Sequence, residues 1–68
     1  MSKYFIIENK VNNAYFSHYK FSDSGEEKTE VFVKGKTLAL KLEYDKAQKL
    51  SEELNQVENI DTQVVNAL

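Results

Sequence analysis

Asp45-Lys46-Ala47-Gln48-Lys49-Leu50-Ser51-Glu52-Glu53-Leu54-Asn55-Gln56-Val57 sets Ala47, Leu50, Leu54 and Val57 at spacings of three, four and three. That period gathers the four on one face of an amphipathic helix. Asp45 followed by Gln48 fits a capping box, in which an N-cap acceptor and a Gln three residues on satisfy the first free backbone donors. The spacing therefore predicts a helix over about 46–57, with Asp45 as its cap.

Upstream the period changes from helical to two. Lys3-Tyr4-Phe5-Ile6-Ile7-Glu8 is too short for a helix and rich in aromatic and β-branched residues, so it reads as a strand. Lys10-Val11-Asn12-Asn13 supplies a turn, since Asn tolerates positive φ and bonds to its own backbone. Ala14–Phe21 is a second strand, with strict alternation setting Tyr15, Tyr19 and Phe21 on one face and Phe16 and His18 on the other. Ser22–Glu27 is a polar, acidic loop and Thr29–Val33 a third strand. Leu38, Leu40, Leu42 and Tyr44 alternate as in an extended segment. After a break near Asn59-Ile60-Asp61, the favoured reading is a second short helical piece, with a strand at Thr62–Val65 as the alternative.

The expected fold is thus a single α+β domain over residues 1–68, a small antiparallel sheet packed by one C-terminal amphipathic helix. At 68 residues the core is small, because a 60-residue domain buries only about 60% of its unfolded surface. There is no Cys and one His, so no disulfide, thiolate cage or His-rich metal site is expected, and no cofactor. Met1-Ser2-Lys3 is followed by only four apolar residues, Tyr4–Ile7, before Glu8, which points to no membrane span and to a cytoplasmic protein.

Charge comes in blocks of +2 (1–22), −3 (23–30), +3 (31–50) and −4 (51–68), for a net −2 with no Arg. Bidentate phosphate or guanine recognition therefore has no Arg to use. Lys34, Lys36, Lys41, Lys46 and Lys49 form the basic block on which a nucleic-acid reading rests. Lys34-Gly35-Lys36-Thr37 lacks the upstream glycine of a P-loop, and the acidic loop lacks the ligand alternation of a calcium site.

Catalytic groups are scarce. Glu26-Glu27 and Glu52-Glu53 read as solvated charge, because a one-helix domain offers little cleft to separate their pKa values. Ser17 and His18 are neighbours on a strand and point to opposite faces unless the strand is distorted, which argues against a nucleophile and base pair. Large apolar groups exceed what one helix can cover, so the second sheet face is expected to keep an aromatic patch of the kind that marks protein interfaces. Tyr4, Tyr15 and Tyr19 are the expected contacts, with Glu26 and Glu27 as a charged rim. A homodimer using the same face is the structural alternative.

Taken together, Tyr4-Phe5-Ile6-Ile7, the hairpin aromatics, Ala39 through Leu42, Tyr44-Asp45-Lys46-Ala47 and Glu53-Leu54 resemble the short Lys/Asn/Glu-rich accessory proteins of phages and prophages of low-GC Gram-positive bacteria. The resemblance implies a small accessory protein, of a kind that often binds and inhibits a host enzyme or a defence system such as a CRISPR nuclease. It assigns no functional residue.

Overall fold

The computed structural model describes residues 3–67. Four strands, β1 (Phe5–Asn9), β2 (Ala14–Phe21), β3 (Lys28–Val33) and β4 (Thr62–Asn66), form one antiparallel sheet in the order β3-β2-β1-β4, with helix α1 (Tyr44–Gln56) before the last strand. The α+β architecture expected from the sequence is present, and the last segment is a strand. Thr62, Val64 and Val65 suit a pleated surface better than a helix, and pairing with β1 along Phe5↔Asn66 through Asn9↔Thr62 decides the matter.

The first turn is built by asparagines. Asn13 sits at φ 58, the Val11 N–H donates to Asn9 Oδ1 (2.9 Å), and the Ala14 N–H donates to Asn12 Oδ1 (3.0 Å). A left-handed conformation is open to Asn, whose short polar side chain bonds locally.

Helix α1 begins two residues before the expected start. Glu43, extended at φ −64 and ψ 156, is the N-cap and makes no side-chain capping bond, so Asp45 is not the cap and lies in the first turn. Tyr44 explains the shift: its ring meets Phe5 edge-on with centroids 5.2 Å apart, tying the first turn to β1. At the other end Asn59, at φ 59, reverses the chain so that the Ile60 N–H reaches the Leu54 carbonyl (2.9 Å). Val57 falls outside the buried stripe, at 71% exposure.

The core forms between α1 and the sheet around Ile7, Phe16 and Leu54, with Tyr19, Phe32, Leu42, Leu50 and Ile60 packed against it. Each fully buried large side chain there contributes about 1.5–3 kcal/mol. Ser51 takes a helix position that an apolar residue would normally hold, and its hydroxyl meets Thr62 Oγ1 at 2.7 Å. Thr62 in turn donates to Asn55 Oδ1 (2.8 Å), which also accepts the Thr62 N–H (2.8 Å).

Strict alternation fails in β2. Phe16 opposes Phe32 but His18 opposes Val31, so Ser17 is an extra residue, a β-bulge. Beyond it the face assignment reverses: Tyr19 lies on the same side as Phe16, with ring centroids 5.1 Å apart. The reading that set Tyr19 opposite Phe16 is corrected accordingly.

The segment Lys34–Glu43 is not the simple extended run its alternation suggests. It opens with a 3-10 turn (Lys36–Leu38), where Lys36 Nζ lies 5.9 Å from the Tyr15 ring centroid and Ser17 Oγ donates to the Leu38 carbonyl (3.2 Å). It then bonds to both strands where β1 and β2 part: the Leu40 N–H donates to the Phe16 carbonyl (3.0 Å), and Leu42 exchanges two bonds with Phe5 (2.7 and 2.9 Å). Ile6, on the sheet side away from α1, is fully buried.

Two stability predictions follow from this packing. Leu54→Ala is expected to lower unfolding free energy by about 2–5 kcal/mol through the cavity it leaves. Thr62→Val, which strands the Ser51 hydroxyl, should cost about 1–3 kcal/mol. Urea melts at fixed pH measure both, and a Thr62→Val variant as stable as the parent would refute the structural role of that network.

Candidate functional site

The β2–β3 hairpin continues past the core as an arm, and the molecule is accordingly elongated, 41 × 23 × 22 Å. Because the bulge reverses β2, the α1 side of the arm carries Tyr19 and Phe21, opposed in register by Glu30 and Lys28 of β3. Lys28 Nζ stands 4.4 Å from the Tyr19 ring centroid. Phe21 is 61% exposed at the outer end and helps line an open depression of about 300 Å³ with Lys20, Ser22, Glu27 and Thr29.

Tyr19 lies half-buried where the arm meets the end of α1. Its hydroxyl is pushed above the usual tyrosine range, first by burial and then by the negative charges of Glu53, Glu30 and Glu58. Carboxylates on three elements thus act on one tyrosine: β3, the last turn of α1, and the turn that follows it. Tyr19 Oη and Glu30 Oε1 are both buried, and neither has a hydrogen-bond partner within the described residues. A notch of this kind holds a neutral phenol as donor, excess negative potential and an unused carboxylate acceptor. It suits an organic cation, because a Lys or Arg head group can satisfy several such oxygens at once. Among the described residues no group of three or more His, Cys, Asp or Glu side chains is arranged to hold a metal ion.

The residues singled out from the sequence do not form one surface. Tyr4 immediately precedes β1 on the side away from α1, and Tyr15, paired with Glu8, shares that side. The bulge places Tyr19 on the opposite side, so the three tyrosines expected together are separated. Tyr4 is 51% exposed, whereas Tyr15 is half-buried beside Lys36. Glu26 and Glu27 lie in the exposed loop at the arm's tip, where the Glu27 N–H donates to Ser22 Oγ (3.2 Å).

The basic block is divided too. Lys41 does not present its ammonium freely: Nζ donates to the carbonyls of Thr37 (3.1 Å), Lys36 (3.3 Å) and Ala39 (3.3 Å), closing the end of the 3-10 turn. Lys34 and Lys36 belong to the crossing segment and Lys46 and Lys49 to the exposed side of α1, so the five do not read as one phosphate-tracking stripe.

Ser17 and His18 do meet, contrary to the expectation of opposite faces, because the bulge is the distortion that lets them. Oγ and Nδ1 are 2.9 Å apart. The serine proton has two claimants, His18 Nδ1 and the Leu38 carbonyl. If Leu38 takes it, Nδ1 carries its own proton and donates to Oγ. Among the described residues no acid orients the imidazole, so the arrangement fixes the bulge to the crossing segment and lacks the third group of a nucleophile and base pair.

Glu30, Glu53, Glu58, Lys28 and Phe21 were not singled out from the sequence as a site. The available signal was Glu30 itself, a carboxylate at the period-two position of Phe32 in a strand read as Thr29–Val33. No family model, curated protein or solved structure matches the chain. Among the described residues no helix is long and apolar enough to cross a membrane.

Two measurements check the site. Since folding raises the Tyr19 pKa above its ordinary 10.0, Tyr19 contributes stability that is complete below pH 10.0 and is lost as pH rises through the folded-state value. Ultraviolet titration should show a tyrosine step above the ordinary 10.0, and Tyr19→Phe should remove that step; a parent titration with no such step would refute the notch electrostatics. Lys41→Met is expected to lower stability by at most about 1 kcal/mol, as for other exposed charged groups. A urea midpoint that does not fall would show those three bonds to be idle.

Proposed function

We propose that this chain is a non-enzymatic protein-binding module and that its contact surface is the α1 side of the β2–β3 arm. The observation that carries the reading is the notch at Tyr19, where the carboxylates of Glu30, Glu53 and Glu58 surround a half-buried tyrosine with Phe21 exposed beside it. An aromatic anchor next to desolvated charge is the composition of an interface hot spot, and the negative potential selects a basic partner surface. The same features suit a small inhibitor or regulator of a larger protein, the role implied by the resemblance to phage accessory proteins. Tyr19 and the loop bearing Glu26 and Glu27 stay in this contact surface, while Tyr4 and Tyr15 fall outside it.

The test is a pull-down of the tagged protein from a nuclease-treated Gram-positive lysate, compared with a Phe21→Ser/Glu53→Lys variant whose fold is checked by circular dichroism. The expected result is one stoichiometric partner that survives nuclease and moderate salt and is lost with the variant. Loss of every partner on nuclease treatment would overturn the reading in favour of a nucleic-acid binder using Lys34, Lys36, Lys46 and Lys49, whose affinity falls steeply with salt.

A further inference from the structure

The two edges of the sheet are unequal. In antiparallel pairs, residues whose backbone groups point at the neighbouring strand alternate with residues whose groups point away. The Ser22 N–H donates to the Glu27 carbonyl (2.9 Å), which fixes the phase of the β2–β3 ladder. With Phe21 opposite Lys28 and Tyr19 opposite Glu30, the backbone groups of Lys28 and Glu30 point outward from β2. Beyond the bulge, the Phe16 carbonyl turns away from β3 to accept the Leu40 N–H, so its partner Phe32 also points outward. Lys28, Glu30 and Phe32 therefore offer a row of N–H and C=O groups along the free edge of β3.

The β4 edge is closed at its start. There the Asn55 side chain acts as a strand partner, accepting the Thr62 N–H at Oδ1 (2.8 Å) and offering Nδ2 to the Thr62 carbonyl (3.5 Å). Among the described residues β3 has no such cover, and its extensive packing is against β2. The residue of an added strand that lies opposite Glu30 shares the face of Glu30, the α1 side, and therefore enters the notch.

We propose that the outer edge of β3 takes up an extended segment of another protein as an added strand, with a Lys or Arg of that segment opposite Glu30. This deepens the protein-binding reading and rests on it. Backbone bonds to Lys28, Glu30 and Phe32 supply the strand addition, and the cation pairs with the buried Glu30 Oε1, which has no partner among the described residues. A second copy of this chain fits the edge poorly. The antiparallel register that uses all three outward residues centres on Glu30 and sets it against its own symmetry mate, and like charges directly opposite are destabilising.

The test is an amide NMR titration of the full chain with the blocked peptide Thr-Val-Thr-Lys-Thr-Val-Thr and with the same peptide carrying Glu at the centre. The largest shifts are expected at the amides of Lys28, Glu30 and Phe32, with the Lys peptide bound roughly tenfold more tightly than the Glu peptide. Lys28→Pro removes one outward N–H at a place where an edge strand tolerates proline, and leaves the carboxylates intact. It should weaken the peptide while α1 resonances stay in place. Glu30→Gln should retain strand addition and lose the preference for Lys.

Shifts confined to other residues, or equal binding of the two peptides, would overturn the proposal. So would the same amides shifting with protein concentration alone, which would assign the edge to a second copy. A nuclease-resistant lysate partner held equally by the parent and by Lys28→Pro would refute the edge while leaving the protein-binding reading standing; absence of any such partner would remove that reading itself.

Discussion

The extra residue at Ser17 governs both halves of the molecule. A strand of strict period two would hold Phe16 in the core and turn Tyr19 and Phe21 away from the helix. One inserted residue brings Phe16 and Tyr19 to the same side and lets their rings meet edge-on. Glu30 shares that side through the period of β3 itself, two residues from Phe32. The meeting of Tyr19 with the carboxylates is therefore a consequence of a backbone irregularity, and the tyrosine would leave that face if β2 were regular.

The same region is where β1 and β2 part, and the crossing segment fills the opening. Its backbone bonds to Phe16 on one strand and Phe5 on the other replace the ladder bonds that the two strands no longer give each other. A domain of this size cannot bury both faces of its sheet with one helix. The connection between β3 and α1 is held at Ser17 Oγ and closed on itself by Lys41. Ile6, on the side away from α1, is fully buried without a second helix, and the chain after α1 completes the sheet as β4.

Much of this was legible. The helix face of Ala47, Leu50 and Leu54, the asparagine turn, the three N-terminal strands and the break at Asn59 all follow from local patterns whose physical cause lies within a few residues. What was not legible depends on contacts distant in sequence. Tyr44 joins the helix because Phe5 is beside it, and Thr62–Asn66 is a strand because β1 offers it an edge. A bulge leaves no mark in the alternation of Tyr15, Phe16, Ser17, His18 and Tyr19, since a single extra residue is visible only against the register of the partner strand. Without that phase, strict alternation groups Tyr15 with Tyr19 and separates Ser17 from His18, and the register reverses both.

The notch also runs against local stability. Glu52 and Glu53 lie in the closing turns of α1, which hold no basic residue, while Lys46 and Lys49 lie towards its start. The helix dipole favours the opposite arrangement by about 0.3–1 kcal/mol per charge at low salt. Tyr19 Oη and Glu30 Oε1 are buried there with no hydrogen-bond partner among the described residues. Elsewhere the chain is careful with polar groups: Ser51, Asn55 and Thr62 satisfy one another in the core, and Lys41 reaches three carbonyls. The proposed strand addition accounts for these departures, because groups arranged to meet a partner are mismatched without it. A cation delivered opposite Glu30 would relieve both penalties, pairing with the buried oxygen and offsetting the negative end of the helix.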